Sequence, residues 1–342
     1  MIASPSGVVL GQGHTQRVGG AHAEMVALQD AHAKGNFVKG AIAYVTLEPC
    51  SHHGRTGPCC DALIAAGIAK VVASIADPNP RVSGQGFARL LAAGVEVEIG
   101  SAAEASRELN IGFFSRMIRK TPWVRMKIAA SLDGKTALEN GKSQWITAPP
   151  ARADGHAWRA RSCAVLTGLG TVLEDDPSLD VRLVETPRQP HMVVVDSRLE
   201  TPLDARLFGP QRKLIIYAAE LNDEKKAELE KRGAAVVYLP GQTDATRRKV
   251  DLKAMMLDLA RREVNELHVE AGERLNGSLI REGLVDEFLV YLAPKLIGQG
   301  RDFASFGPLM NLDAAVSLAF KSTEMIGPDL RILAQIAGRE RF

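Results

Sequence analysis

Cysteine is scarce, with four in 342 residues. A secreted domain stapled by disulfides uses more of them, spread along the chain. Here Cys50, Cys59 and Cys60 lie together and Cys163 stands alone. No apolar run reaches the roughly 18–20 residues that a membrane-spanning helix needs. The opening Met1-Ile-Ala-Ser-Pro-Ser-Gly7 has neither the basic n-region nor the apolar core of a signal peptide. Net charge is small as well: 42 basic against 40 acidic side chains leave +2, too little for a general polyanion binder. The expected setting is a reducing cytosol, away from membrane and nucleic acid. There, clustered cysteines serve a metal or catalysis.

What is present is an ordinary globular composition. Hydrophobic residues at 46% and charged residues at 24% exclude a disordered chain. At about 100–200 residues per domain, the length suggests two domains. Strand-like and helix-like stretches alternate throughout, which argues layered α/β architecture. Ala41–Thr46, Lys70–Ile75 and Val95–Ile99 read as strands, and Ala21–Ala33, Cys60–Ala66 and Gly86–Ala93 as helices. Ala102–Lys120 reads as one helix, stopped by Thr121-Pro122. Beyond it a second series begins, with strands over Trp123–Ala129, Ala164–Thr167, Met192–Asp196, Lys213–Tyr217, Ala235–Tyr238, Leu267–Glu270 and Glu287–Leu292. The expected domains are 1–122 and 123–342.

The chemistry concentrates in two places. His22-Ala23-Glu24 opens a helix, and residues two apart on a helix share no face. They can address one point only if it lies off the helix N-terminus. Cys50 follows Glu48-Pro49 at the end of a strand, and Cys59 follows Pro58 at the start of a helix. Thiolates at helix starts are acidified, which favours metal binding at neutral pH. One His and two Cys form a three-ligand catalytic zinc set, which leaves a position for water. Glu24 is then the group that moves that water's proton. His-x-Glu followed by Pro-Cys is the signature of zinc nucleobase deaminases, with the Glu outside the ligand set.

The stretch Thr46-Leu-Glu-Pro-Cys-Ser-His-His-Gly-Arg-Thr-Gly-Pro-Cys-Cys60 resembles the pyrimidine deaminase domain of the bifunctional riboflavin-biosynthesis deaminase–reductase family. The resemblance selects Cys59 over Cys60 as ligand and leaves Cys60 to pack in its helix. His52 and His53 could add to the ligands, but a fourth ligand would block the water, so they read, with Arg55, as substrate contacts, and Arg55 suits a phosphate.

Residues from 123 to about 337 resemble the reductase domain of the same family. The matching segments are Lys127-Ile-Ala-Ala-Ser-Leu-Asp-Gly134, Ser143-Gln-Trp-Ile-Thr147, Thr171-Val-Leu-Glu-Asp-Asp-Pro177, Val269-Glu-Ala-Gly272 and Ala293-Pro-Lys-Leu-Ile-Gly298. No Gly-x-Gly-x-x-Gly follows a strand, so a classical dinucleotide fold is not expected. The resemblance implies a cytidine-deaminase-like three-layer domain, then a dihydrofolate-reductase-like α/β domain that uses NADPH. The glycine-bearing turns at Gly168–Thr171 and Glu270–Glu273 are natural pyrophosphate cradles. Ser197 and Arg198 follow a strand and suit a 2′-phosphate.

The family's cofactor contacts match Ala129, Trp145, Thr171, Asp175, Ser197 and Gly272. Its substrate contacts match Ser143, Arg159, Leu179, Arg182 and Glu270. Lys127 and Asp175 are the expected catalytic pair. The implied reaction is hydrolytic deamination of a pyrimidine ribosylamine phosphate, followed by NADPH-dependent reduction of its ribosyl group. A homo-oligomer formed through the reductase domain also fits the family.

The sequence departs from the family at its start. Family chains carry a helix and a strand with Pro-Asn-Pro-x-Val-Gly ahead of the Gly-rich hairpin, whereas this one begins at Met1-Ile-Ala-Ser. The expectation is a start codon assigned too far downstream. The alternative is a truncation that leaves a reductase with an impaired deaminase. Two rival functions are a nucleic-acid base deaminase and a structural zinc module. The first wants a basic, aromatic-bearing surface, against 5% aromatics here. The second wants four protein ligands.

Overall fold

The computed structural model describes residues 1–53, 57–80, 82–209, 212–244 and 247–342. It divides into two compact units, Met1–Ile118 and Arg119–Phe342.

The first unit contains β1 (Ile2–Ala3), β2 (Val9–Gly11), α1 (Ala23–Ala33), β3 (Ile42–Val45), α2 (Cys59–Ala65), β4 (Lys70–Ala73), α3 (Gln85–Ala92), β5 (Glu96–Ile99), α4 (Ala103–Leu109) and α5 (Ile111–Ile118). Its sheet runs β2-β1-β3-β4-β5. Strands β3, β4 and β5 are parallel, and β1 is antiparallel to both its neighbours. Ala27 of α1, Cys60 and Leu63 of α2 and Leu90 of α3 share one buried cluster with Ile2, Ala43 and Val71 of the sheet. Parallel strands leave their C-terminal ends free for loops that carry function, and Cys50 comes off the end of β3.

The single helix expected over Ala102–Lys120 is two helices. Asn110 ends α4 at φ −108°, ψ 14°, and its side-chain amide donates to Ser106 O at 2.8 Å. An Asn that bonds its own backbone competes with the helix ladder.

The second unit contains β6 (Trp123–Ser131), β7 (Lys135–Leu138), α6 (Pro149–Arg161), β8 (Ala164–Gly168), α7 (Leu169–Asp175), β9 (His191–Val195), β10 (Leu214–Ala218), α8 (Asp223–Lys231), β11 (Ala234–Tyr238), β12 (Pro240–Asp244), β13 (Arg247–Val250), α9 (Leu252–Arg261), β14 (Glu266–Val269), α10 (Glu273–Arg281), β15 (Glu287–Ala293), β16 (Gly300–Asp302), β17 (Leu318–Ile326) and β18 (Asp329–Ile336). The large sheet runs β11-β10-β9-β8-β14-β6-β15-β18-β17. It is parallel from β11 to β15, and β18 and β17 close one side antiparallel. Strand β14 inserts between β8 and β6, so the chain order reverses there. Such switch points open a crevice at the carboxyl ends of strands.

The two faces of this sheet differ. Val124, Met126 and Ile128 of β6, with Leu267, Val269 and Phe288, face an apolar core completed by Met255, Met256 and Leu259 of α9 and Leu279 of α10. The alternate residues carry charge. Arg125 is paired in register with His268 on one side and Glu287 on the other. Helix α6 covers this polar face: the Arg125 guanidinium lies 4.5 Å from the Trp158 ring centroid, and Arg161 Nε donates to both oxygens of Glu266 at 3.1 and 3.0 Å. Ionised side chains under a helix stay only when they are paired. Arg125 donates to both Glu287 and Glu266.

Candidate functional site

The first site forms where α1 and α2 begin. His22 is the N-cap residue of α1, with extended backbone (φ −72°, ψ 163°), and Glu24 lies in the first turn. The cap geometry turns both side chains toward the same point off the helix end. His22 Nδ1 lies 3.6 Å from Cys50 Sγ and 3.3 Å from Cys59 Sγ. The three donor atoms all fall within 4.8 Å of one another. A tetrahedral zinc with ordinary Zn–N and Zn–S bonds separates N and S by roughly 3.6 Å, so this donor set fits zinc without rearrangement. The Cys59 backbone N–H also donates to Cys50 Sγ at 3.3 Å. A separate hydrogen bond between the two thiols brings the Cys50 thiol down to about 5, and the Cys59 N–H adds to this. The thiol–thiol bond, with burial, pushes Cys59 up. A cation bound between the two sulfurs competes with their protons.

Burial raises the Glu24 carboxyl, and charge on Cys50 adds to that. Cys60 points the other way: it is fully buried, its Sγ contacts Pro49 O at 3.2 Å, and burial pushes its thiol up to about 12. That is an inert, packed thiol. His52 sits in the same turn with a buried Nδ1 that has no hydrogen-bond partner among the described residues. Arg55 lies outside the described residues.

One residue of the site carried no sequence signal. Asp77, in the turn after β4, is buried, and its carboxyl is pushed up to about 6, first by burial and then by the nearby charges of Glu48 and Cys50, with His52 opposing. Its place beside Cys50 comes from the parallel β3–β4 pairing, which no motif announces.

The second site is a cavity of about 770 Å³ at the carboxyl ends of β6, β8, β9 and β14. Of the residues expected there, Lys127, Ala129, Ser143, Thr171, Asp175, Leu179, Ser197, Glu270 and Gly272 all line it. Arg159, Arg182 and Trp145 are not among the lining residues. Arg159 stands behind Glu270, with Nε 2.7 Å and Nη2 2.6 Å from Glu270 Oε1. Arg182 pairs with Asp180 at 2.5 Å. Trp145 is 60% exposed, with Arg152 stacked 4.5 Å from its ring centroid, so it is no core residue.

Glu270 is held well below the usual carboxylate range. Burial opposes this, and the charges of Arg159 and Lys127 outweigh it. Lys127 Nζ lies 3.7 Å from Glu270 Oε2, and burial lowers its ammonium. Desolvation likewise raises Asp175. Leu179 takes a left-handed backbone (φ 47°), a conformation costing about 1–3 kcal/mol unless the surroundings enforce it. Two arginines do so: Arg212 Nη1 donates to Leu179 O at 2.8 Å, and Arg159 Nη1 to Asp180 O at 2.5 Å.

The cavity's fit to a dinucleotide follows from its two helix starts. Gly168 caps α7 and Gly272 caps α10, neither with a side-chain hydrogen bond, and both line the cavity. First-turn N–H groups left free this way bind phosphate. By contrast α8 and α9 are capped by Asn222 and Asp251, which accept from Lys225 N and Ala254 N.

Comparison with known proteins gives one family match for each unit. Residues 122–332 match the family described as the RibD C-terminal domain, and residues 2–75 match the cytidine and deoxycytidylate deaminase zinc-binding region. The riboflavin biosynthesis protein RibD of Escherichia coli K12 is 43% identical, the match covering 95% of this chain and 89% of that protein. Its Aquifex aeolicus counterpart is 39% identical, over 97% and 90%. Among solved structures, Acinetobacter baumannii RibD superposes with a TM-score of 0.84 at 36% identity, covering 98% of this chain and 90% of that one. A Thermotoga maritima diaminohydroxyphosphoribosylaminopyrimidine deaminase/5-amino-6-(5-phosphoribosylamino)uracil reductase reaches 0.86 at 29% identity, with the same coverage. This chain belongs to the RibD family of riboflavin biosynthesis, bifunctional enzymes that join a zinc-dependent deaminase to an NADPH-dependent reductase.

Proposed function

We propose that the chain deaminates 2,5-diamino-6-(5-phosphoribosylamino)pyrimidin-4-one in its first unit and reduces the ribosyl group of the product to ribityl phosphate in its second. In the first unit His22, Cys50 and Cys59 hold the zinc. When bound, zinc supplies a Lewis acid that acidifies a water molecule. Glu24, its carboxyl raised by burial, takes a proton from that water and passes it to the departing amine. His52, Arg55 and Asp77 bind the substrate.

In the second unit bound NADPH would supply the hydride that reduces the ribosyl group at C1. Gly272 and Thr171 would hold its phosphates and Ser197 its 2′-phosphate, with Ala129, Trp145 and Asp175 completing the cofactor contacts. Ser143, Leu179, Arg182 and Glu270 bind the substrate, with Arg159 orienting Glu270. Lys127 and Asp175 polarise the sugar and move the proton that accompanies hydride transfer. Burial disfavours the Lys127 ammonium, which makes it a ready proton donor.

The observation that carries this reading is the convergence of His22, Cys50 and Cys59 in the same chain as a cavity lined by Lys127, Asp175 and Glu270. The test is a two-step assay on the zinc-loaded chain: ammonia release from the diaminopyrimidinone, then NADPH oxidation with the product. A chain that does neither overturns it.

We further read the protein as a homo-oligomer of the cytosol. Strand β17 supports the first statement, since it is a sheet edge with Leu318, Phe320 and Met325 exposed. Four free cysteines support the second. Among the described residues no helix is long and apolar enough to cross a membrane.

A further inference from the structure

Glu48 ends the strand side of the Pro49–Cys50 turn and is assigned no part in the chemistry above. Its side chain is turned inward and only 3% exposed. Each carboxylate oxygen accepts two backbone N–H groups. Oε2 takes Asp77 at 3.2 Å and Gly84 at 3.0 Å, and Oε1 takes Gly86 at 2.9 Å and Phe87 at 3.4 Å. Four donors fill the acceptor capacity of a carboxylate. Gly86 and Phe87 belong to the first turn of α3, where N–H groups have no partner within the helix. The N-cap residue of α3, Gly84, has no side chain to serve them. Glu48 does so from outside the helix.

The same carboxylate grips the metal-bearing turn. A Cβ on Gly86 would stand 2.1 Å from Pro49 O, so the start of α3 lies directly against the residue before Cys50. Cys60 Sγ bridges Pro49 O at 3.2 Å and Gly86 O at 3.5 Å from the other side. Asp77, whose backbone Glu48 holds, is buried in the turn after β4, where its Oδ1 accepts from Asn79 N at 2.7 Å and its Oδ2 is left for a ligand.

We propose that Glu48 is a positioning residue of the deaminase half: it locks the Asp77 backbone and the start of α3 onto the Pro49–Cys50 turn, and so aims the Asp77 carboxyl at the substrate. The inference rests on the deaminase site described under the proposed function. Glu48 itself touches neither metal nor substrate.

The test is Glu48→Gln in the full-length, zinc-loaded chain. The amide keeps the shape but turns an NH₂ against one pair of N–H donors. One buried pair thereby loses its acceptor. The deaminase KM is expected to rise about tenfold, with a smaller change in kcat, one zinc per chain retained and reductase activity unchanged. In an Asp77→Asn background the same substitution is expected to change KM less than about twofold, because the two residues act through one contact. Loss of zinc from Glu48→Gln, or an equal tenfold rise in the Asp77→Asn background, overturns the proposal. Gly86→Ala provides a second route that leaves the carboxylate's charge unchanged, since its added methyl presses on Pro49 O and crowds Glu48 Oε1. It is expected to reproduce the KM rise, and an unaltered KM in that variant also overturns the proposal. A wild-type chain that releases no ammonia counts against the deaminase reading itself, and is thereby told apart from a failure of Glu48.

Discussion

Arg159 and Glu270 meet through a single oxygen: both Nε and Nη2 of the guanidinium converge on Glu270 Oε1, at 2.7 and 2.6 Å. The other oxygen is left to Lys127, 3.7 Å away. Arg159 comes from α6, Glu270 from the end of β14 and Lys127 from β6, so three elements fix one carboxylate at the cavity floor. Breaking a buried pair by removing one partner costs about 3–5 kcal/mol. Arg159→Met is therefore expected to lower reductase kcat/KM by about 100-fold, the equivalent of some 2.7 kcal/mol, and to leave deamination unchanged.

The pH dependence of that variant follows from Glu270. Its folded pKa is depressed, so the pair contributes stability above the carboxylate's unfolded pKa and loses it as pH falls through the folded value. Without Arg159 the folded value climbs toward the unfolded one, so the variant, already less stable at neutral pH, loses less stability on acidification than wild type. All three tryptophans (Trp123, Trp145 and Trp158) lie in the second unit, so urea unfolding followed by tryptophan fluorescence isolates this effect. An acid limb identical to wild type would count against it.

Cys59 and Cys60 are neighbours with opposite duties. Cys59 faces His22 and Cys50, whereas Cys60 faces Pro49 O and Gly86 O. Cys59→Ser is expected to lose zinc and ammonia release while reductase activity persists. Cys60→Ser keeps zinc, because a hydroxyl can donate to the same carbonyls, and costs about 1–2 kcal/mol of stability in the first unit. Metal analysis of the two purified variants decides, and zinc lost from Cys60→Ser would reverse the assignment.

The zinc ligands were legible because sequence distance is short and chemistry rare. His-x-Glu at a helix start and two cysteines flanking a turn leave few alternatives. Most strands were legible as apolar runs, since the sheet of the second unit is parallel and buried on both faces there. What failed depended on contacts distant in sequence. Glu48 and Asp77 read as ordinary acids until β3 and β4 are paired. Strands β17 and β18 escaped notice because β17 is exposed along nearly its whole length and shows no alternation. The short β7 and β16 exist only by pairing with each other across 160-odd residues of chain. Arg159 was expected as a substrate contact; its pairing with Glu270 could not be read from the sequence, because it depends on how α6 packs over the sheet.

His156 supplies a second pH-dependent test. It lies buried on α6, with Nδ1 accepting from Arg182 N at 3.2 Å. Burial, then the charges of Arg159 and Arg182, lower it to about 4. The unfolded imidazole titrates near 6.5, so between those values the unfolded chain binds more protons and stability falls with falling pH. The contribution is limited to about 1.4 kcal/mol per pH unit. His156→Gln, which retains an acceptor, is expected to flatten the stability profile of the second unit between pH 6.5 and 4 relative to wild type. Parallel profiles for the two proteins would overturn this.

Strand β17 carries the last prediction. It pairs with β18 along one side only, and Phe320 is 73% exposed, with Leu318 and Met325 also exposed along the same strand. An open edge with apolar side chains invites pairing with another chain. Charged residues at such an edge block that pairing. Phe320→Lys removes the apolar group and adds the charge, and as an exposed change it should alter monomer stability by no more than about 0.5 kcal/mol. Light scattering on a sizing column is expected to show an oligomer for wild type and a folded monomer for Phe320→Lys. A wild-type monomer, or a variant that stays assembled, removes β17 as the interface.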